Sequence, residues 1–568
     1  MTSQKSAWRQ AAVYQIYPWT FNEDKGRTPQ KGHGSIKGIT EKIPYLRDEL
    51  GVDAIWLSPF YPSPMADGGY DISNFTDVHP DLGTLADFDE LIHVAHEHDI
   101  RLMADFIPNH SSVEHEWFQK SRRHEGHDDW YIWHPGIVGD DGERRPPNNW
   151  ASVFSIPNRK ARERGEMPWL QPHDWTPPVS QWEWDDVRQE YYLHSFAKEQ
   201  PDLNWSNPYV REAMKDAMRF WLDRGVDGFR VDAVNHIGKN MSLQDEEVNT
   251  AYNEAWYENP YDQLLRRNSA DYPETLHAYV WEMGQVLKDD RYDGRDLRMV
   301  LEAYIGESAL RDLDAIAPGV ASTFNFGRFY IDWNAMHHKI QIDYYYARLQ
   351  KTAVGNQVNG NHDKTRVATR LGEDFARAAA VTNLFLPGMR FIYNGEELNL
   401  RDAVIPEDRM QDPNGLRDPE RTPMIWNTDE PNGGFSNADP SQLWLPTNQA
   451  DMDRSVATQK TQPKSTLTLF HEALRLCHKY DAVQHGAYVP MHSDNDNVFV
   501  YGRRTDDDTV VVLTNFTREP QHVKVDETDF VIAESVLSSN NVRESLARVD
   551  IRAGITLEPA ESLVIIPA

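Results

Sequence analysis

The stretch Gly228-Phe229-Arg230-Val231-Asp232-Ala233-Val234-Asn235-His236 reads as a short apolar strand ending on an arginine and a carboxylate two residues apart. Alternate residues of a strand face the same way, so Arg230 and Asp232 project together. A guanidinium beside a carboxylate favours its ionised form. An ionised, fixed aspartate is what a covalent nucleophile requires. A structural ion pair would use the same two residues, so the weight rests on their company. Other polar residues fall where further strand-like runs end: Asp105 to His110, Glu302 after Met299-Val300-Leu301, and Asn359-Gly360-Asn361-His362-Asp363. Another such group is Asp67-Gly68-Gly69-Tyr70-Asp71. Three carboxylates (Asp232, Glu302 and Asp363), two histidines (His110 and His362) and Arg230 would converge on one pocket. Asp105 suits a brace within the strands as well as a substrate contact, and Asp71 suits a loop brace.

Such a pocket needs elements that bring the strand ends together. Apolar runs at Val13–Tyr17, Ala54–Leu57, Leu102–Phe106, Gly228–Val231, Met299–Leu301, Ser322–Phe326, Val354–Val358 and Arg390–Tyr393 are candidate strands. Amphipathic segments lie between them, among them Thr40–Glu49, Leu85–Glu97, Val210–Asp223 and Phe375–Phe385. Eight strands alternating with helices predict an α/β fold, a closed parallel (β/α)8 TIM barrel that reacts at its C-terminal strand ends. The predicted organisation is barrel over 1–110, an inserted domain over 111–200, barrel again over 201–484, and a β-sandwich over 485–568. The insert carries eight of the 18 tryptophans, including Trp150, Trp175 and Trp182. A second interruption, about 237–297, is polar and helical.

Composition narrows the chemistry. The 58 Lys and Arg against 89 Asp and Glu give a net charge of −31, which argues against nucleic acid and anionic membrane as partners and fits a neutral small molecule. Eighteen tryptophans and 24 tyrosines suit stacking on sugar rings as well as core packing. The single cysteine, Cys477, excludes an internal disulfide and fits a reducing, cytoplasmic compartment, where it serves as a core filler. The N-terminal residues have no apolar signal-peptide core, and no apolar run is long enough to cross a bilayer.

The motifs together resemble the α-amylase superfamily, glycoside hydrolase family thirteen. Asp105–His110, Gly228–His236, Leu301-Glu302-Ala303 and Asn361-His362-Asp363 are similar to its first four motifs. Gln200-Pro201-Asp202-Leu203-Asn204 resembles the fifth in the form of the oligo-1,6-glucosidase and α-glucosidase branch, as does Arg421-Thr422-Pro423-Met424-Ile425-Trp426. The resemblance implies a domain inserted after strand three, a C-terminal β-sandwich and retaining hydrolysis of α-glucosides. By motif, Asp232 is then the nucleophile, Glu302 the general acid/base and Asp363 the transition-state stabiliser. Arg230, His110 and His362 would hold the glucose. Asp67 and Tyr70 would close its non-reducing end, with help from Arg417 or Arg421. Retaining chemistry needs one protonated and one ionised carboxyl, about 5–5.5 Å apart. Arg230 is expected to ionise Asp232, and the apolar company of Glu302 to keep its proton.

Departures from the family set further expectations. The loop Asn22–Gly34 keeps Asp24 but carries Lys25, Arg27 and Lys31, so no calcium is expected there, and no metal or cofactor elsewhere. Ala233, following the nucleophile, tilts the preference toward α-1,4 bonds, and the Asp67 motif toward exo-action on short substrates such as maltose. The alternatives are an oligo-1,6-glucosidase, or a transglucosylase, trehalose synthase or sucrose isomerase. No Arg-rich acceptor motif follows Asp363, where the chain reads Lys364-Thr365-Arg366-Val367. Catalytically dead transporter heavy chains lose the acids, whereas this chain keeps all three. The oligomeric state is left open.

Overall fold

A computed structural model of the chain describes residues 6–154, 179–251, 260–304, 307–349, 353–412, 416–525, 532–540 and 548–568. Trp175 lies outside the described residues. Eight parallel strands form one sheet: β1 (Ala12–Ile16), β2 (Ala54–Leu57), β3 (Arg101–Phe106), β4 (Gly228–Val231), β5 (Arg298–Leu301), β6 (Ala321–Thr323), β7 (Asn356–Val358) and β8 (Met389–Tyr393). Their order is β6-β5-β4-β3-β2-β1-β8-β7. At the β6–β7 seam side chains do the joining: Asn356 donates from Nδ2 to the Thr323 carbonyl at 2.6 Å, and its Oδ1 accepts from the Asn325 amide at 2.8 Å.

Strand alternation divides the core in two. Val13, Ala54, Trp56, Met103, Val300, Phe324, Val358 and Phe391 fill the barrel interior. Tyr14, Ile55, Leu57, Leu102, Phe229, Val231 and Leu301 point outward into the larger core under the helices. The inward row therefore continues from Met103 to Asp105, from Gly228 to Arg230, and from Val300 to Glu302. Registers Asp105↔Arg230 and Val300↔Arg230 set these rows side by side. Gly228 is required where it stands, because a Cβ there would meet the Arg298 carbonyl oxygen at 2.3 Å.

Helices Leu85–Glu97, Pro208–Arg224 and Glu373–Leu384 fall where their apolar periodicity places them, and Thr466–Lys479 follows before the C-terminal sheets. The first begins in a capping box, Thr84 with Asp87, and the second closes on Gly225 in the left-handed region. The helix expected over Thr40–Glu49 is shifted: Ile36–Thr40 is followed by a turn at 41–42, and the chain is helical again from Ile43, widening to a π-helix over Tyr45–Leu50. Pro44, which lacks an N–H, sits in the first turn of that second helix, where its missing donor costs nothing.

After β3 the chain builds a helix, Glu116–Arg122, and a three-stranded antiparallel sheet of Trp133–His134, Glu190–Leu193 and Trp182–Asp185. Trp150 and Trp182 stack in its small core, and their indoles donate to the Gln244 carbonyl and to Asn148. The C-terminal part is a six-stranded antiparallel sheet facing a two-stranded one, with a core of Val500, Leu513, Val523, Ile555 and Leu563. Cys477 is buried and free, its Sγ donating to the Leu384 carbonyl.

Several buried carboxyls give the fold a pH signature. Burial pushes Glu396 up to about 8, and Glu420 to about 8. As pH rises, an unfolded chain releases these protons near pH 4, whereas the folded chain holds them to about pH 8. Stability therefore falls across that window, by about 1.4 kcal/mol per group per pH unit. Buried neutral histidines act in the opposite sense below pH 6.5: burial lowers His110 to about 4 and His338 to about 2. The thermal midpoint is expected to fall between pH 7 and pH 8.5, and to fall less in Glu396→Gln. An identical slope in that variant, measured by calorimetry, would refute the assignment.

Candidate active site

At the C-terminal end of the barrel, one guanidinium holds three carboxyls. Arg230 Nη1 lies 2.9 Å from Asp105 Oδ1 and 2.6 Å from Asp232 Oδ1, and Nη2 lies 2.6 Å from Glu302 Oε1. Trp56 and Tyr70 flank the guanidinium, at 5.1 and 5.7 Å from its centre. The strands extend the ladder through the site itself: the Asp232 amide donates to the Phe106 carbonyl and the Glu302 amide to Val231, both at 2.8 Å. Ala233 then turns through the left-handed region, at φ 40°, and its amide donates to Glu302 Oε2 at 3.0 Å. A non-glycine residue there stores strain, and the contact it makes is on an acid of the site.

Asp105 resolves to a brace. Its Oδ2 accepts from the Trp56 indole at 3.2 Å and from Tyr70 at 3.1 Å, while Oδ1 takes Arg230. Burial, partly offset by Arg230, brings its carboxyl up to about 6. Asp71 likewise braces its loop, accepting from the amides of Ala66 and Asp67 and from Ser63.

The proton asymmetry expected of the acids needs correction. Glu302 is not left to apolar company, since Arg230 and the Ala233 amide both reach it. Burial raises Asp232 well above the usual carboxylate range, with Glu302 and Asp105 adding to it against Arg230. Both carboxyls stand on the two terminal nitrogens of one guanidinium, and Glu302 is near enough to Asp232 to disfavour its charged form. Three acids share one cation, so the cluster favours keeping a proton.

Asp363 has the opposite environment. Arg417 Nη1 is 3.1 Å and Arg421 Nη2 2.9 Å from its Oδ1. Burial works against ionisation, yet the surrounding cations hold this carboxyl far below its ordinary range. His362 is itself kept neutral by burial, so the arginines carry that effect. His362 Nδ1 faces Gln15 Nε2 at 2.7 Å, and Nε2 faces the Tyr70 hydroxyl at 2.5 Å. Tyr17 and Tyr70 both stack against its ring.

The far wall ties separate segments together. Arg417 Nη2 pairs with Asp67 Oδ1, and Gln200 Nε2 lies 2.9 Å from Asp67 Oδ2 and 3.0 Å from His110 Nε2. Asp412 backs Arg417 at 2.6 Å. Arg421 lies over Tyr17 and donates from Nε to the His362 carbonyl. Phe196 packs on both His110 and His236.

All ten residues singled out from sequence thus gather here: Asp232, Glu302, Asp363, Asp67, Tyr70, His110, Arg230, His362, Arg417 and Arg421. Gln15, Gln200, Asp412 and Phe196 were not singled out. Gln15 was within reach, two residues after inward-facing Val13, and Gln200 stands within the fifth motif. Asp412 gives no local signal.

In the Asn22–Gly34 loop the cations find internal partners: Lys25 meets Glu430 and Lys31 meets Asp81, each at 2.5 Å. Glu23 accepts from the Lys31 and Gly32 amides and from Ser436. Among the described residues no group of three or more His, Cys, Asp and Glu is arranged to hold a metal ion. No helix among them is long and apolar enough to cross a membrane.

Comparison with known proteins places this geometry. The model for the α-amylase catalytic domain matches residues 15–486. The chain is 36% identical to an α-glucosidase of Apis mellifera, over 94% of this chain and 90% of that enzyme. It is 35% identical to maltase 1 of Drosophila virilis, over 98% of this chain and 86% of that enzyme. The crystal structure of the α-glucosyl transfer enzyme XgtA superposes with a TM-score of 0.85 at 29% identity, covering all of both chains. With its barrel, its four motifs at the strand ends and these relatives, the chain belongs to the α-amylase family of glycoside hydrolases, in the α-glucosidase branch.

Proposed function

We propose that the protein is a retaining, exo-acting α-glucosidase that hydrolyses short α-glucosides, maltose and maltooligosaccharides first. The observation that carries this reading is the Arg230 fork, which holds Asp232 and Glu302 face to face. Two carboxyls beside one guanidinium supply an acid and a nucleophile when one carries a proton and the other is ionised. Asp232 attacks the anomeric carbon while Glu302 passes its proton to the departing oxygen. Glu302 then takes a proton from water as that water displaces Asp232 and releases glucose. Asp363, kept ionised by Arg417 and Arg421, stabilises the positive charge that develops on the sugar ring. Buried His110 and His362 offer neutral donors and acceptors to its hydroxyls. The Asp67–Arg417 pair, closed by Gln200, supports a pocket with a blind end, which admits one terminal glucose. A cytoplasmic location belongs to the same proposal, supported by the lone buried thiol.

Transglucosylation is the second reading, favoured by the similarity to an α-glucosyl transfer enzyme along the full chain. A time course on maltose, isomaltose, sucrose, trehalose and soluble starch, with products identified, separates the two. Maltose is expected to give glucose fastest, released first as the α-anomer. Isomerised disaccharides from sucrose or maltose, or initial β-glucose, would overturn the proposal.

A further inference from the structure

We propose that Tyr304 is a positioning residue for proton delivery by Glu302, and that it matters in proportion to how much the leaving group needs that proton. The inference rests on the reading of Glu302 as the acid/base. Tyr304 stands two residues beyond Glu302, just past the end of β5, and its hydroxyl donates to Glu302 Oε1 at 3.3 Å. The same oxygen meets Arg230 Nη2, and Oε2 is taken by the Ala233 amide. The carboxyl is therefore held from three directions: from β4 by Arg230, from the turn after it by Ala233, and from its own strand by Tyr304. Among the described residues, Asp232 and Asp105 also lie close enough to interact with it.

The ring of Tyr304 is not free to wander. It stacks on Phe326 with centroids 5.3 Å apart, and Phe326 stacks in turn on Phe324 at 5.0 Å and Phe329 at 5.1 Å. Phe324 packs on Trp56 and Phe391 inside the barrel. This run of rings ties the hydroxyl to the packed interior of the barrel. A tyrosine has only two side-chain torsions to fix, so a stacked ring aims its hydroxyl at little entropic cost. A donor aimed at a carboxyl that must lose its proton in the transition state assists that loss, because the carboxylate it leaves is the better acceptor. In the step itself the Glu302 proton goes to the glycosidic oxygen. The carbon–oxygen bond breaks as Asp232 bonds to the anomeric carbon, and the Tyr304 proton stays on tyrosine.

The test compares leaving groups. Tyr304→Phe keeps the ring and its stack and removes only the hydroxyl. On maltose, whose departing sugar must be protonated, kcat/KM is expected to fall about tenfold. On α-glucosyl fluoride, whose fluoride leaves without a proton, it is expected to stay within about twofold, with the thermal midpoint unchanged. Phe326→Leu, which loosens the stack but keeps the hydroxyl, should lose less than Tyr304→Phe and show the same dependence on leaving group. Equal losses on both substrates, or none on maltose, would overturn the role of Tyr304. Glu302→Gln is the control on the underlying reading: it should lose maltose turnover and still be glycosylated by the fluoride. If that variant turns over maltose normally, it is the acid/base assignment that has failed.

Discussion

Asp232→Asn is expected to lower turnover on maltose by at least about 10⁴-fold while leaving sugar binding and folding intact. The size follows from the step removed. An amide is a poor nucleophile, and loss of a group acting within a catalytic set costs factors of this order. Binding should persist because the groups expected to hold glucose, namely His110, His362, Arg230 and the Asp67–Arg417 wall, are separate side chains. Folding should persist because the amide oxygen can still accept from Arg230 Nη1, now 2.6 Å from Asp232 Oδ1. The guanidinium also keeps Asp105 and Glu302 as partners. The substitution takes out a carboxyl that burial and two like neighbours disfavour in its charged form, so the variant should be at least as stable as the parent at neutral pH. Single-turnover kinetics and titration calorimetry with maltose measure the two halves. Turnover within about tenfold of the parent would exclude Asp232 as the nucleophile.

The fold was legible because a barrel repeats one rule eight times. Each strand is a short apolar run, and the inward rows of β3, β4 and β5 run on to Asp105, Arg230 and Glu302, with Asp105 level with Arg230 and Glu302 two residues further along. That is why Asp105, Arg230 and Glu302 could be placed together before their contacts were known. Strand limits were less legible. β6 stops at Thr323 rather than running to Phe326: the Asn325 amide goes to the Asn356 side chain and Phe326 stacks on Tyr304, and tertiary contacts of that kind have no signature in the local pattern. The electrostatics were legible only by half. Two residues apart on a strand, Arg230 and Asp232 had to meet, but the reach of the second guanidinium nitrogen to Glu302 depends on the register of β4 against β5. Because both acids share one cation, the guanidinium is not the company of Asp232 alone, as the two-residue spacing by itself suggested. The resemblance named Asp67 and Arg417, but Asp412, which backs Arg417, was out of reach for a plainer reason: alone it resembles any surface aspartate.

The Arg230 fork makes the second large prediction. In Arg230→Met three buried carboxyls lose their shared cation. Removing one partner from a buried ion cluster costs about 3–5 kcal/mol, since the remaining charges stay desolvated. The loss should depend on pH in a definite direction. Asp105 sits near pH 6 even with the guanidinium in place, and Asp232 is raised well above its ordinary range. Without Arg230 both are pushed higher still, so the folded variant binds more protons than its unfolded chain over a wider range. Its stability must then fall more steeply than the parent's as pH rises from about 4. Urea unfolding at pH 5.5 and pH 8 should show a deficit that is small at the first and near its full size at the second. Arg230→Lys separates charge from shape. An ammonium restores one positive charge and most of the stability, but it cannot set two carboxyls on two fixed nitrogens. Its kcat/KM is expected to remain on the order of 10²–10³-fold below the parent, since misplaced reacting groups cost factors of this size. A methionine variant as stable as the parent at pH 8 would mean that the three acids do not need the guanidinium's charge. A lysine variant with full activity would mean that the fork does not set the spacing of the two acids.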